Sequence, residues 1–222
     1  MAVDERMTAP TTLARPRRLL GGGTTGNERL TSSTGAILIV LLAVLGVTII
    51  AIGQLLWVHL FVGMLLIGPL ALKLASTGYR FARYYTHDAQ YVRKGPPPTA
   101  MRMLEPLVVL STLVVFGSGV ALLFAGPSSR DTIFPIHKLS FFAWLALMGI
   151  HVLWHLPEVY RSLRADYGRE PRGARTTSWS GELNGRAGRT LSLAGALVLG
   201  LVLAIVLIPE FGPWISAHNL HH

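Results

Sequence analysis

The 222-residue chain contains no cysteine. That excludes structural disulfides, thiolate metal sites, cysteine-ligated iron–sulfur clusters and covalent haem attachment. Acidic side chains are scarce, eleven Asp and Glu against twenty Lys and Arg, and none falls clearly inside an apolar run; Glu105 stands at the end of one. A transporter coupled to protons or cations usually needs such a group at membrane depth, so this scarcity argues against one. There is no nucleotide-binding motif and no nucleophile–base constellation, so a self-contained enzyme is not expected. Nor is a cleavable signal peptide expected, because the first 33 residues are polar and the first apolar run is too long for an h-region.

What the chain does have is apolar sequence in long blocks, with 51% hydrophobic residues against 14% charged. Blocks of this length separated by charged segments are the pattern of a polytopic membrane protein. The fold class expected is an all-α integral membrane protein, a bundle of about five transmembrane helices. Residues 1–33 read as a disordered basic tail. The unbroken apolar run 36–72 is too long for one span, and a tight turn at Gly53 and Gln54 divides it into spans at about 35–53 and 55–76. Gly68-Pro69 should kink the second of these. Residues 77–103 are basic and aromatic, begin with a helical rhythm, and are ended by Pro96, Pro97 and Pro98. Spans three and four cover about 104–125 and 136–156, and Ser111, Ser118 and Gly119 give the third a small-residue face for close helix contact. An arginine-rich loop, 158–189, leads to a fifth span, 190–208, closed by Pro209, and 209–222 form an outer tail.

The charge fixes the expected orientation. Seventeen of the twenty Lys and Arg residues lie in 1–33, 77–103 and 158–189, and only Arg130 and Lys138 lie in the opposite segments. The positive-inside rule then puts the N-terminus inside and the C-terminus outside, in a bacterial cytoplasmic membrane. The net charge of +9 belongs to membrane topology, and a nucleic-acid partner is not expected.

Histidine carries the chemistry. The fourth span, within PIHKLSFFAWLALMGIHVLWHLP (135–157), has His137, His151 and His155 on one face, His137 and His151 being about 21 Å apart along the axis. His59 on the second span lies at a depth matching His137. Two imidazoles at one depth on separate helices suit the two faces of a b-type haem. Gly63, one turn from His59, would let the porphyrin approach the backbone, and Phe141 and Trp144 would pack against it. A second, inner haem would use His151, but the second span offers Lys73 in place of a histidine there, and His87 is too far along the helix to serve. One haem is therefore expected, with two the alternative. Lys73, Arg80, Arg83 and Arg102 are candidates for haem propionates, quinone oxygens or lipid headgroups. His151 and His155, at i and i+4, could also bind a metal, or be simple interfacial side chains.

The histidine-bearing spans, with ALKLASTGYRFARYYT (71–86) and KGPPP (94–98), resemble the cytochrome-b-like superfamily of membrane subunits, in a bacterial and actinobacterial form, over roughly residues 57–157. The resemblance implies electron transfer between a redox enzyme subunit and the quinone pool. It departs from the family at the missing inner histidine of the second span. Two other readings remain from the residues themselves. One is a cofactor-free membrane scaffold subunit. The other is a metal-handling or transport protein using His151, His155 and the terminal His218, His221 and His222.

Overall fold

The computed structural model describes residues 23–95, 99–167 and 179–219. The long helices are α1 (Gly23–Ile50), α2 (Ile52–Tyr85), α4 (Thr99–Ala125), α5 (Arg130–Tyr167) and α6 (Trp179–Val206); of two shorter helices, α3 (Ala89–Lys94) lies between α2 and α4, and α7 (Ile208–Asn219) follows α6. There is no strand among the described residues. The five long helices are each long and apolar enough to cross a bilayer, and closing every backbone hydrogen bond within a helix is what a hydrocarbon solvent demands.

Helices α1 and α2 pack together, α4 packs along α5, and α5 touches α1. Phe116 of α4 closes the remaining side against Leu38, Val62 and Leu66. The four helices thus form a ring in the order α1, α2, α4, α5. The two histidine-bearing helices, α2 and α5, stand diagonally across it. Helix α6 lies outside the ring, against α2. One end of the ring holds the α1–α2 turn, the α4–α5 connection and the α6–α7 break; it is called the hairpin end here. The other, basic end holds Arg80, Arg83, Arg93, Arg102, Arg161 and Arg164.

The α2–α6 contact is made by glycine. A Cβ at Gly68 would lie 2.0 Å from the Ala196 carbonyl oxygen, and one at Gly200 would lie 2.1 Å from that of Leu65. Helices in lipid gain little from burying apolar surface against each other, so close backbone approach through small residues supplies the attraction. Pro69 lies inside α2, and the one residue of that helix outside helical dihedral angles is Leu55. Gly68 serves the crossing. The reversal between the first two spans pivots on Ala51, whose carbonyl accepts from the Gln54 and Leu55 amides. Gly53 and Gln54 lie inside that reversal, already helical.

Two expected tails are folded. Residues 23–33, read as part of a disordered segment, form the first turns of α1, and residues 1–22 lie outside the described residues. The short polar side chains that give this stretch its loop-like composition are interhelical hydrogen-bonding groups. Asn27 donates Nδ2–H to the Ser76 carbonyl at 3.0 Å, and Thr31 Oγ1 bonds Ser76 Oγ at 2.9 Å. At the other terminus, residues 209–219 of the expected outer tail lie in α7 (Ile208–Asn219). Pro209 ends the fifth span but sits in the first turn of the next helix, where its missing N–H costs nothing. Phe211 is fully buried there among Met64, Leu123 and Ala204, and Trp57 meets its ring edge-on at 6.3 Å.

Beyond the basic end of α2, Asp88 caps α3 by accepting from the Gln90 amide and pairs with Arg83. His87, in the turn before it, has a left-handed backbone, φ 59°, and is exposed. Tyr91 is buried edge-on to Tyr79, and burial pushes its phenol above the ordinary range.

Candidate functional site: two histidine pairs in one ring of helices

The hairpin half of the ring contains His59, bonded to α1, and His137, bonded to α4. Each ring is fixed by its neighbour in the bundle. His59 Nδ1 is 2.9 Å from Thr48 Oγ1 on α1. The single hydroxyl proton of Thr48 goes to the Leu45 carbonyl, so Thr48 accepts and His59 Nδ1 carries the hydrogen. His137 Nδ1 lies 3.0 Å from the Val115 carbonyl and 3.1 Å from Ser118 Oγ, both on α4. A carbonyl only accepts, so Nδ1 is the protonated nitrogen here too. In both residues this leaves Nε2 with its lone pair. Donating Nδ1–H to the protein while Nε2 is left to bind is the usual state of a metal-ligating imidazole.

Gly119 is what lets His137 lie flat on α4: a Cβ there would meet the imidazole Cε1 at 3.1 Å. The small-residue face expected on the third span is in part a seat for a histidine. Beside His59, a Cβ at Gly63 would meet nothing within 4 Å, so the backbone is open on that side. Trp144, expected beside His137, belongs to the other half of the ring. It is buried, with Nε1–H donated to Thr112 Oγ1 at 2.9 Å. That bond accounts for a polar indole nitrogen at mid-membrane and was not visible in the sequence, because it joins positions 32 residues apart.

The basic half of the ring encloses a cavity of about 170 Å³ between α1, α2, α4 and α5. Its wall toward the middle of the ring is apolar: Leu38, Leu66, Leu70, Val108, Phe116 and Met148. Its mouth carries Lys73, Arg80, Glu28, Glu105 and Glu158, with His151 and His155 between. Lys73 Nζ donates to the Thr31 carbonyl at 3.0 Å, and a Cβ at Gly35 would touch it at 3.3 Å. The lysine that replaces an inner histidine is thus bound to α1. The His151 and His155 rings lie 4.7 Å apart. His155 Nδ1 is 3.2 Å from Glu158 Oε2, and its Nε2 is 4.0 Å from Glu105 Oε1. His151 Nδ1 and His155 Nε2 are buried without a hydrogen-bond partner.

Of the residues singled out in the sequence, the structure brings His59 and His137 together at one end and Lys73, His151, His155 and Trp144 at the other. Gly63 remains with the first group. No group of three His, Asp or Glu side chains is arranged to hold a metal ion among the described residues. The His218 side chain, His221 and His222 lie outside the described residues. His87 takes no part in the cavity lining. Sequence reasoning missed Thr48, Val115 and Ser118 as partners of the histidines, and Thr112 as the partner of Trp144. A hydroxyl on each neighbouring span was the available signal. No family model, curated protein or solved structure matches this chain.

Proposed function

We propose that the protein is a membrane electron-transfer subunit holding one b-type haem between α2 and α5, with His59 and His137 as axial ligands. The observation that carries this reading is the state of the two imidazoles. They sit on diagonal helices of one ring, each with Nδ1–H committed to a protein acceptor and Nε2 left as a ligand atom. Such a haem supplies reversible one-electron chemistry at its iron. The chain's own work is to orient the two rings and to exclude water. Thr48 and the Val115 carbonyl hold the ring planes and raise the basicity of the ligating nitrogens, which favours the oxidised iron. Gly119 sets how closely His137 approaches α4.

The basic end would face the cytoplasm of a bacterial cell, by the charge asymmetry of the connecting segments. A quinone and a redox enzyme subunit are the partners that the resemblance to membrane cytochromes b implies. The donor set gives no reason to place a second haem, because Lys73, which stands where an inner histidine would be needed, is bound to α1. A reduced-minus-oxidised spectrum of the purified protein, with pyridine haemochrome stoichiometry, tests the reading. One low-spin b-type haem per chain is expected; protein that takes up no haem on reconstitution would sink it.

A further inference from the structure

The outer surface of the basic end is cationic because acids of that end are engaged elsewhere. Asp88 caps α3 and pairs with Arg83. Glu158 and Glu105 flank His155, at 3.2 and 4.0 Å. Arg83, Arg93, Arg102, Arg161 and Arg164 are all exposed. Arg93 and Arg161 each donate Nε–H to the carbonyl four residues back, which orients the guanidinium without neutralising its charge. Helix α3 is itself held in place, since Tyr91 is buried edge-on to Tyr79 of α2. At the hairpin end, among the described residues, exposed Arg130 and Lys138 are matched by exposed Asp131 and Glu210.

The same surface carries aromatic rings. Tyr79, Phe81 and Tyr85 of α2 and Trp154 and Tyr160 of α5 are each more than half exposed. Arg80 and Arg83 lie about 8–12 Å beyond Ala75, where the apolar run of α2 ends. Aromatic rings mixed with arginines just past an apolar run belong at the headgroup layer of a bilayer. A cluster of cations in that layer attracts anionic lipid. Because this surface continues directly from the spans, it favours lipid over a soluble acidic partner.

We propose that the basic end is a binding surface for anionic phospholipid, whose phosphate headgroups are held by Arg93 of α3 and Arg102 of α4. Arg83, Arg161 and Arg164 add to the attraction. None of this rests on a haem.

The experiment starts from purified full-length protein stripped of lipid in a neutral detergent. It is titrated with phosphatidylglycerol or with phosphatidylcholine of the same acyl chains, and bound lipid is counted by native mass spectrometry. Phosphatidylglycerol should bind about 10-fold more tightly or better. Arg93→Gln combined with Arg102→Gln should weaken it about 30-fold, about 5-fold for each cation removed, and leave phosphatidylcholine unchanged. Arg130→Gln combined with Lys138→Gln should change neither lipid. Circular dichroism of each variant should show the helices intact. A further measurement needs no variant: at about 1 M salt, where the screening length is about 3 Å, the wild-type preference should vanish. Equal binding of the two lipids, equal weakening by the hairpin-end variant, or a preference that survives this salt would each overturn the proposal. So would displacement of the lipid by inorganic phosphate or by a soluble glutamate-rich peptide, which would assign the surface to free phosphate or to an acidic protein.

Discussion

The two halves of the helix ring use the same residue type in opposite ways. At the hairpin end, His59 and His137 stand on diagonal helices, and each has one nitrogen bonded into the neighbouring helix. At the basic end, His151 and His155 share one helix, touch each other, and leave one nitrogen each without a hydrogen bond, His155 Nε2 lying 4.0 Å from Glu105 Oε1. The first arrangement ties each imidazole to a different neighbouring helix, α1 for His59 and α4 for His137. The second borders a cavity with a polar mouth. What separates them is the helix supplying the facing residue. Helix α2 offers a histidine opposite His137 but only Lys73 toward His151, and that lysine is bound to the Thr31 carbonyl.

The largest effect that tests this contrast is ligand deletion. His59→Ala and His137→Ala should each abolish the low-spin b-type spectrum, whereas His151→Ala should leave it intact. Retention of low-spin haem in His59→Ala together with its loss in His151→Ala would exchange the roles of the two halves. Thr48→Val is next. It removes the acceptor of His59 Nδ1–H while keeping the shape, and it should weaken haem retention about 10–100-fold, as loss of such supporting partners does. It should also raise the midpoint potential, because a less basic imidazole stabilises oxidised iron less. A wild-type potential in this variant would mean that Thr48 does not hold His59.

Smaller effects separate structure from site. Gly200→Ala drives a Cβ toward the Leu65 carbonyl and should cost about 1–3 kcal/mol by forcing α2 and α6 apart. Because α6 lies outside the ring, thermal unfolding should register this while the haem spectrum stays unchanged. Asn27→Ala removes the bond to the Ser76 carbonyl and should cost about 1 kcal/mol. It should loosen the α1–α2 contact at the basic end, so thermal stability should fall while the haem spectrum stays unchanged. A haem spectrum that changed as well would mean that the halves are not separable.

The five spans and the histidines on the second and fourth were legible in the sequence, because a bilayer imposes a length and an apolar composition that few other environments require. The termini were harder to read. Asn27 and Thr31 look like loop residues until α2 lies beside them, since in lipid a short polar side chain is as useful between helices as in a turn. Pro209 to Asn219 looked like a tail because Pro209 stops a helix. That the same proline begins another depends on Phe211 finding a pocket among Met64, Leu123 and Ala204.

Composition and periodicity determined the membrane class, the number of spans and the facing of histidines along α5, all of which follow from properties of a single helix. Tertiary structure decided what those histidines meet. Whether an imidazole nitrogen finds Thr48, the Val115 carbonyl or no partner at all depends on which helix lies alongside and at what rotation. Glycine crossings and one-carbon contacts, as at Gly119 and Gly200, set that rotation. A single chain's hydropathy carries no record of such contacts, because they are properties of pairs of helices.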